Sequence, residues 1–141
     1  MIEVSWKILE DVVQVLSNRI PIDKYTGIYG VPRGGMIPAV MLSHIFDMPI
    51  HREPQNGDLI VDDIADNGHT AIYWKRLGFD IAVVYRRIDN AKKPIVDYYG
   101  QLAEDWVLFP WEKSNSDTVS NVSLDIKTGE SIYKEASHAN Y

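Results

Sequence analysis

Apolar residues recur along the chain with two periods. Trp6, Leu9, Val12, Val13, Leu16 and Ile20 recur with the spacing of one helical face, with Ser5 placed to cap that helix and Pro21 to end it. Residues 25–29 read as a first strand, and residues 37–46 as a helix that offers Met36, Val40, Leu42 and Ile45 for packing. Residues 49–52 give a brief second strand, followed by a turn over 53–58 that carries the pair Asn56-Gly57. Leu59, Ile60 and Val61 form a short continuous apolar run rich in β-branched residues, as in a parallel strand covered on both faces. A helical segment over 71–77 follows, then an apolar strand over 79–85 that ends in Arg86 and Arg87. A polar loop over 88–93 leads to a further strand over 94–99, and residues 106–112 close the compact part.

Strands that alternate with helical segments predict an α/β fold with a doubly wound, mainly parallel sheet. Two regions are expected: residues 1–112 as the folded domain, and 113–141 as a linker and extension. Within the extension, residues 122–126 and 131–133 alternate around Lys127-Thr128-Gly129, which predicts a terminal β-hairpin.

Composition narrows the function. A length of 141 residues suits one domain with a substantial core, and 45% hydrophobic with 24% charged residues is ordinary for a globular protein. The net charge of −6 argues against a broad nucleic-acid-binding surface, so any phosphate must be held by a few placed groups. No cysteine is present, which removes disulfides, zinc thiolates and thiol nucleophiles. No apolar run approaches the ~20 residues needed to span a bilayer, and residues 1–10 lack a secretory pattern, so no membrane association and a cytoplasmic location are expected.

The candidate chemistry lies in two strand-to-helix junctions. After the run ending at Val61 come Asp62 and Asp63, and in open α/β sheets ligands bind at the carboxyl ends of strands. Asn67 and Gly68 suit a tight turn, and Thr70 opens the next helix, so this junction joins acidic oxygens to free backbone N–H groups. Such a pairing fits a molecule with a phosphate at one end and a diol or metal ion nearby, such as a sugar phosphate. A simple helix cap by Asp66 or Asn67 is the plainer alternative. The segment Gly30-Val31-Pro32-Arg33-Gly34-Gly35 repeats the arrangement with one arginine, implying a second anion site or a flexible connection only.

Taken in order, these segments resemble the type I phosphoribosyltransferases. Within that family the likeness is greatest to the bacterial xanthine-guanine enzymes, through Ser5-Trp6, Arg33-Gly34-Gly35-Met36-Ile37-Pro38, the acidic stretch from Leu59 to Thr70, Pro94-Ile95-Val96-Asp97-Tyr98-Tyr99, and Trp106-Val107 before Pro110-Trp111-Glu112. The resemblance implies transfer of ribose 5-phosphate from phosphoribosyl pyrophosphate to a 6-oxopurine (xanthine, guanine or hypoxanthine) with release of pyrophosphate, with Mg²⁺ as cofactor and the purine base or its nucleoside monophosphate as partner. By the same resemblance Asp62 and Asp63 would hold the ribose hydroxyls, with Asp63 the metal contact, and Asp66 would be catalytic, handling the proton of the purine imidazole nitrogen. Asn67, Gly68, His69 and Thr70 would cradle the 5-phosphate, and Arg33 and Gly34 the pyrophosphate. Trp106 would stack on the base, the Val107 backbone would meet its edge, and Arg87, or alternatively Lys92 or Lys93, would donate to a 6-oxo group. Trp111 is expected in the core, and a homo-oligomer is expected. One departure is evident. The family inserts a long mobile loop before the acidic signature, whereas about eight residues, 51–58, stand here. A non-catalytic nucleotide-binding regulator and a nucleotide hydrolase are the competing readings.

Overall fold

The computed structural model describes residues 1–88 and 95–112. The expected terminal hairpin, the linker before it, and Lys92 and Lys93 lie outside those residues. Elements follow in the order β1 (Ile2–Glu3), α1 (Trp6–Arg19), β2 (Gly27–Gly30), α2 (Met36–Phe46), β3 (Asp58–Ala65), α3 (His69–Arg76), β4 (Asp80–Arg87), β5 (Tyr98–Ala103) and β6 (Val107–Leu108). The four central strands form one parallel sheet in the order β2-β3-β4-β5. β1 and β6 pair with each other, also in parallel, as a separate two-stranded sheet.

Alternation along the strands sends side chains to two cores. Leu59 and Val61 of β3, with Ile28, Ala82 and Val84, meet Leu9, Val12, Val13 and Leu16 of α1 and Ala39 and Leu42 of α2. On the opposite face Ile60, Ile81 and Val83 meet Ala71 and Trp74 of α3. Trp74 is the hub of that smaller core, its ring 5.5 Å from Tyr29, 5.1 Å from Tyr73 and 5.8 Å from Phe79. The sheet is thus covered on both faces, which is why its central strands read as unbroken apolar runs.

The winding direction reverses between β2 and β3. A parallel bridge joins Ile28 to Ile50, so the chain leaving β2 through α2 returns on the outer side of β2, away from β3. The next crossover, β3 through α3 to β4, travels the other way and on the other face. The crevice outside the carboxyl ends of β2 and β3 is therefore the topological switch point of the sheet, where ligands of such folds bind.

Several boundaries differ from the sequence reading. The first strand begins at Gly27 because Ile22–Lys24 form a 3-10 turn that carries Tyr25 at its end. Residues 49–52 contribute only the Ile50 bridge, with no strand. The strand expected over 94–99 is Tyr98–Ala103, entered after Asp97, whose carboxylate accepts from the Ile81 N–H at 2.8 Å. β3 continues past Val61 to Ala65, so Asp62 and Asp63 lie within the strand, Asp62 paired with Val83. Ser5 caps α1 as read, its Oγ accepting from the Ile8 N–H at 3.1 Å.

Candidate active site

The loop after β2 and the second half of β3 are locked together without side chains between them. The Val31 N–H donates to the Val61 carbonyl at 2.8 Å, and the Gly35 N–H to the Val31 carbonyl at 2.9 Å. A Cβ on Gly35 would lie 2.8 Å from Asp62 Cα, and one on Gly34 would lie 2.5 Å from Asp63 Cγ. Glycine at both positions is what lets the arginine loop press against the acidic pair. Arg33 stands exposed on that loop, after a cis Pro32–Arg33 peptide.

Asp62 and Asp63 are consecutive, half-buried carboxylates. Burial pushes both carboxyls up, and the charge of Asp63 pushes Asp62 further. The Asp62 Oδ1 accepts from the Asp63 N–H at 2.8 Å, and the Asp63 Oδ1 from the Ile64 N–H at 2.8 Å. Two partly desolvated acids at one point favour a shared proton, a cation or hydroxyl donors.

Beyond Ala65 the chain turns through Asp66, Asn67 and Gly68 into α3. Gly68 has φ +83°, and its carbonyl accepts from the Ile72 N–H at 3.0 Å to start the helix. The Asn67 side chain accepts from the His69 N–H at 2.9 Å, so this amide is engaged by the loop itself. Thr70 is exposed in the first turn of α3, where backbone N–H groups and the helix dipole favour an anion.

A third group gathers around Arg87 at the carboxyl end of β4. The register pairs Ala65 with Arg86, which sets Arg87 beside Asp66, its Nη1 3.5 Å from Asp66 Oδ1. Among the described residues the Arg87 Nε is buried without a hydrogen-bond partner. Asp105 is held below the usual carboxylate range by the chain's amino group and the Trp106 N–H, and Arg87 adds to that effect, so Arg87 also faces the loop before β6. Trp106 follows with its ring 56% exposed, in contrast to Trp111, which stacks on Phe109 at 4.8 Å and is half-buried in the core. The carbonyls of Trp106 and Leu108 accept from the Ile2 and Val4 N–H groups, at 2.7 and 2.9 Å. Because successive strand residues point their backbone groups to alternate sides, the Val107 carbonyl faces away from β1. Asp105 was not singled out from sequence. An acid next to the exposed tryptophan, just after a strand, was its available signal.

The short connection before β3 is tightly closed. His51 Nδ1 lies 2.8 Å from Asp58 Oδ1 and 3.0 Å from Oδ2, and the Gln55 N–H donates to the same carboxylate at 3.0 Å. The Asp58 side chain is wholly buried. A Cβ on Gly27 would sit 2.5 Å from His51 Cε1. This pairing too was not apparent in the sequence. It keeps the connection at the amino end of β3, four residues from Asp62, or roughly 13 Å along the strand from the carboxylates.

No family model matches the chain. The fold is similar to that of phosphoribosyltransferases: a purine phosphoribosyltransferase of known structure from Pyrococcus horikoshii superposes with a TM-score of 0.67 at 29% identity, covering 80% of this chain and 95% of that one. More particularly, the sequence is similar to xanthine-guanine phosphoribosyltransferases. That of Idiomarina loihiensis is 28% identical over 137 residues, covering 77% of this chain and 85% of the relative. That of Nitratidesulfovibrio vulgaris is 29% identical over 138 residues, covering 77% and 83%. The family resemblance read from the residues is therefore present in both sequence and fold.

Proposed function

We propose that this chain is a Mg²⁺-dependent purine phosphoribosyltransferase. It transfers ribose 5-phosphate from phosphoribosyl pyrophosphate to a 6-oxopurine, xanthine, guanine or hypoxanthine, and releases pyrophosphate. The observation that carries the reading is the meeting, at one switch point, of the Gly34-Gly35 loop with the Asp62–Asp63 pair. The names of the similar proteins support the same chemistry.

In this reaction a purine ring nitrogen forms a bond to the anomeric carbon, the bond from that carbon to pyrophosphate breaks, and the nitrogen loses a proton. Positive charge develops on the ribose and negative charge on the leaving group, so placed charges and dipoles suffice and no nucleophilic side chain is required. Asp62 and Asp63 accept hydrogen bonds from the ribose hydroxyls. Asn67, Gly68, His69 and Thr70 hold the 5-phosphate; the His69 amide does so by exchanging Asn67 Oδ1 for a phosphate oxygen. Arg33 and Gly34 hold the pyrophosphate.

Asp66 accepts the proton of the base, with Arg87 beside it. Arg87 donates to the 6-oxo group, an acceptor that adenine lacks, while Trp106 stacks on the ring and the outward Val107 backbone meets its edge. For the metal, the described residues contain no group of three or more His, Asp or Glu side chains that would cage an ion. Two carboxylates together with substrate oxygens is the donor set that Mg²⁺ takes in phosphate-handling sites, and Asp63, on the strand beside the arginine loop, would be its protein contact. When bound, the ion neutralises charge on the leaving pyrophosphate.

The test is a panel of bases incubated with phosphoribosyl pyrophosphate and Mg²⁺, comparing wild type with Asp66→Asn. The expected result is nucleotide formation from 6-oxopurines and not adenine, with turnover lost by on the order of 100-fold or more in the variant while binding of phosphoribosyl pyrophosphate persists. Wild-type protein that converts no base under saturating substrate would refute the proposal.

A further inference from the structure

The chain contains two Asn-Gly pairs, Asn56-Gly57 and Asn67-Gly68. In both the glycine takes a positive φ, +91° at Gly57 and +83° at Gly68. Their surroundings differ. At the second pair the Asn67 side-chain oxygen accepts from the His69 N–H at 2.9 Å, and Gly68 is buried, its carbonyl starting α3. At the first pair both residues are exposed. Among the described residues no hydrogen bond holds the Asn56 side chain or the Gly57 N–H. The turn is closed around them instead, by the Asp58 N–H donating to the Gln55 carbonyl at 3.0 Å and the Thr26 N–H to the Gly57 carbonyl at 2.9 Å.

We propose that Asn56-Gly57 is a site of self-modification, at which Asn56 is converted to isoaspartate and aspartate through attack by the Gly57 backbone nitrogen. That nitrogen gives up its proton and forms a bond to Asn56 Cγ. The bond from Cγ to Nδ2 breaks, and Nδ2 leaves as ammonia, taking up a proton in place of the one lost from Gly57. Water then opens the resulting succinimide ring. Opening at Cγ gives aspartate, and opening at the main-chain carbonyl gives isoaspartate, in which the backbone runs through Cβ. One water is consumed and one ammonia released, with no change of oxidation state. Glycine permits the attack, because a residue without Cβ leaves its nitrogen open to close approach and its backbone free to turn. Asn67 can react in the same way only after giving up its bond from the His69 N–H, and is slower for that reason.

The place of the pair in the fold gives the reaction a consequence. An isoaspartyl link lengthens the main chain by one carbon between residues 56 and 57. A Cβ on Gly57 would lie 2.4 Å from Oγ1 of Thr26, the residue before β2, so the turn is packed too closely there to absorb the added atom. Asp58 follows at once, and its buried carboxylate accepts from the Gln55 N–H and pairs with His51. Either product also sets a new carboxylate two residues from that buried one. Conversion therefore loosens the clasp that anchors the amino end of β3.

The test incubates the full chain in mildly alkaline buffer and maps its peptides by mass spectrometry, with isoaspartate scored by enzymatic methylation. The urea-unfolded chain supplies the intrinsic rate of each pair. Relative to that rate, Asn56 in the folded chain is expected to convert on the order of 10-fold faster than Asn67, the difference made by one hydrogen bond. Equal relative rates, faster conversion at Asn67, or an Asn56 that stays intact in the folded chain while the unfolded chain reacts would each overturn the proposal. The clasp has its own readout. The thermal midpoint of wild type is expected to fall during incubation as isoaspartate accumulates at residue 56. That of Asn56→Gln, whose longer side chain cyclises far less readily, is expected to hold. An Asn56→Gln protein that loses its midpoint as fast as wild type would refute the link between this site and the clasp.

Discussion

Replacing Gly34 by alanine adds a single methyl group, and the structure says where it goes. The new Cβ would lie 2.5 Å from Asp63 Cγ and 3.0 Å from Asp63 Oδ1. Ordinary contact between carbon atoms begins at about 3.5 Å, so the carboxylate must retreat by roughly 1 Å. A 1 Å misplacement of a positioned group costs about 100-fold in rate, or about 2.7 kcal/mol of barrier. The backbone at Gly34 is not in the left-handed region, so alanine is compatible with its conformation. Gly34→Ala is therefore expected to reduce the proposed phosphoribosyl transfer by on the order of 100-fold while shifting the thermal midpoint little. Gly35→Ala makes the contrasting control. Its Cβ would lie 2.8 Å from both Asp62 Cα and the Val31 carbonyl oxygen, backbone atoms that cannot swing aside, so that variant should lose stability as well. The decisive assay is a double-mutant cycle in which Gly34→Ala is introduced into an Asp63→Ala background. With the carboxylate already gone, the methyl group has nothing to displace and should add no further loss. A full 100-fold loss in that background would show that the effect does not run through Asp63, and the reasoning would fail.

Two further variants test the electrostatics. Burial raises the carboxyls of Asp62 and Asp63 above their unfolded values, and the charge of Asp63 raises Asp62 further, so their contribution to stability is fully present below about pH 4 and is lost as pH rises through the folded values. Asp62→Asn removes this cost, so its thermal midpoint should exceed that of wild type by on the order of a few degrees at neutral pH and match it in acid; a midpoint equal to or below wild type at pH 7 would contradict the assignment. His51→Ala leaves the buried Asp58 carboxylate with only the Gln55 N–H and should cost about 2 kcal/mol in urea denaturation, whereas a loss under about 0.5 kcal/mol would show that the clasp is dispensable.

Whether a feature could be read from the sequence depended on how local its causes are. The run at Leu59, Ile60 and Val61 was legible because both faces of β3 are covered, and the start of α1 because Ser5 and the helical spacing act within a few residues. The extension of β3 to Ala65 was hidden because Asp62 and Asp63 break the apolar pattern at the carboxyl end of the strand, at the topological switch point. Residues 49–52 looked like a strand, but Pro49 and Ile50 lie at the sheet margin and only one bridge forms. The candidate site divides in the same way. Its two glycine-containing junctions could be read directly, whereas the pairing of Arg87 with Asp66 depends on the register of β3 against β4, and the His51–Asp58 clasp on a close approach over Gly27. The pairing of Ile2–Glu3 with Val107–Leu108 had no sequence signal at all, since two residues are too few to show a period.

That last pairing bears on the order in which the molecule assembles. In the proposed site the sugar and phosphate groups would be positioned by strands that follow one another closely in the chain, whereas Trp106 stands beside a ladder of two residues on each side, joining segments more than a hundred positions apart. Such a contact closes only after the central sheet has removed most of the intervening chain entropy. The β1–β6 pairing is thus expected to close after the central sheet during folding, as Val4, Val107 and Phe109 enter the main core. In a folding experiment Trp106 should report this late step, while Trp74 reports the collapse of the sheet. In the proposed site, the two ends of the chain would therefore be joined beside the surface on which the base is to stack, so that part of the site would depend on a contact between its first and last described strands.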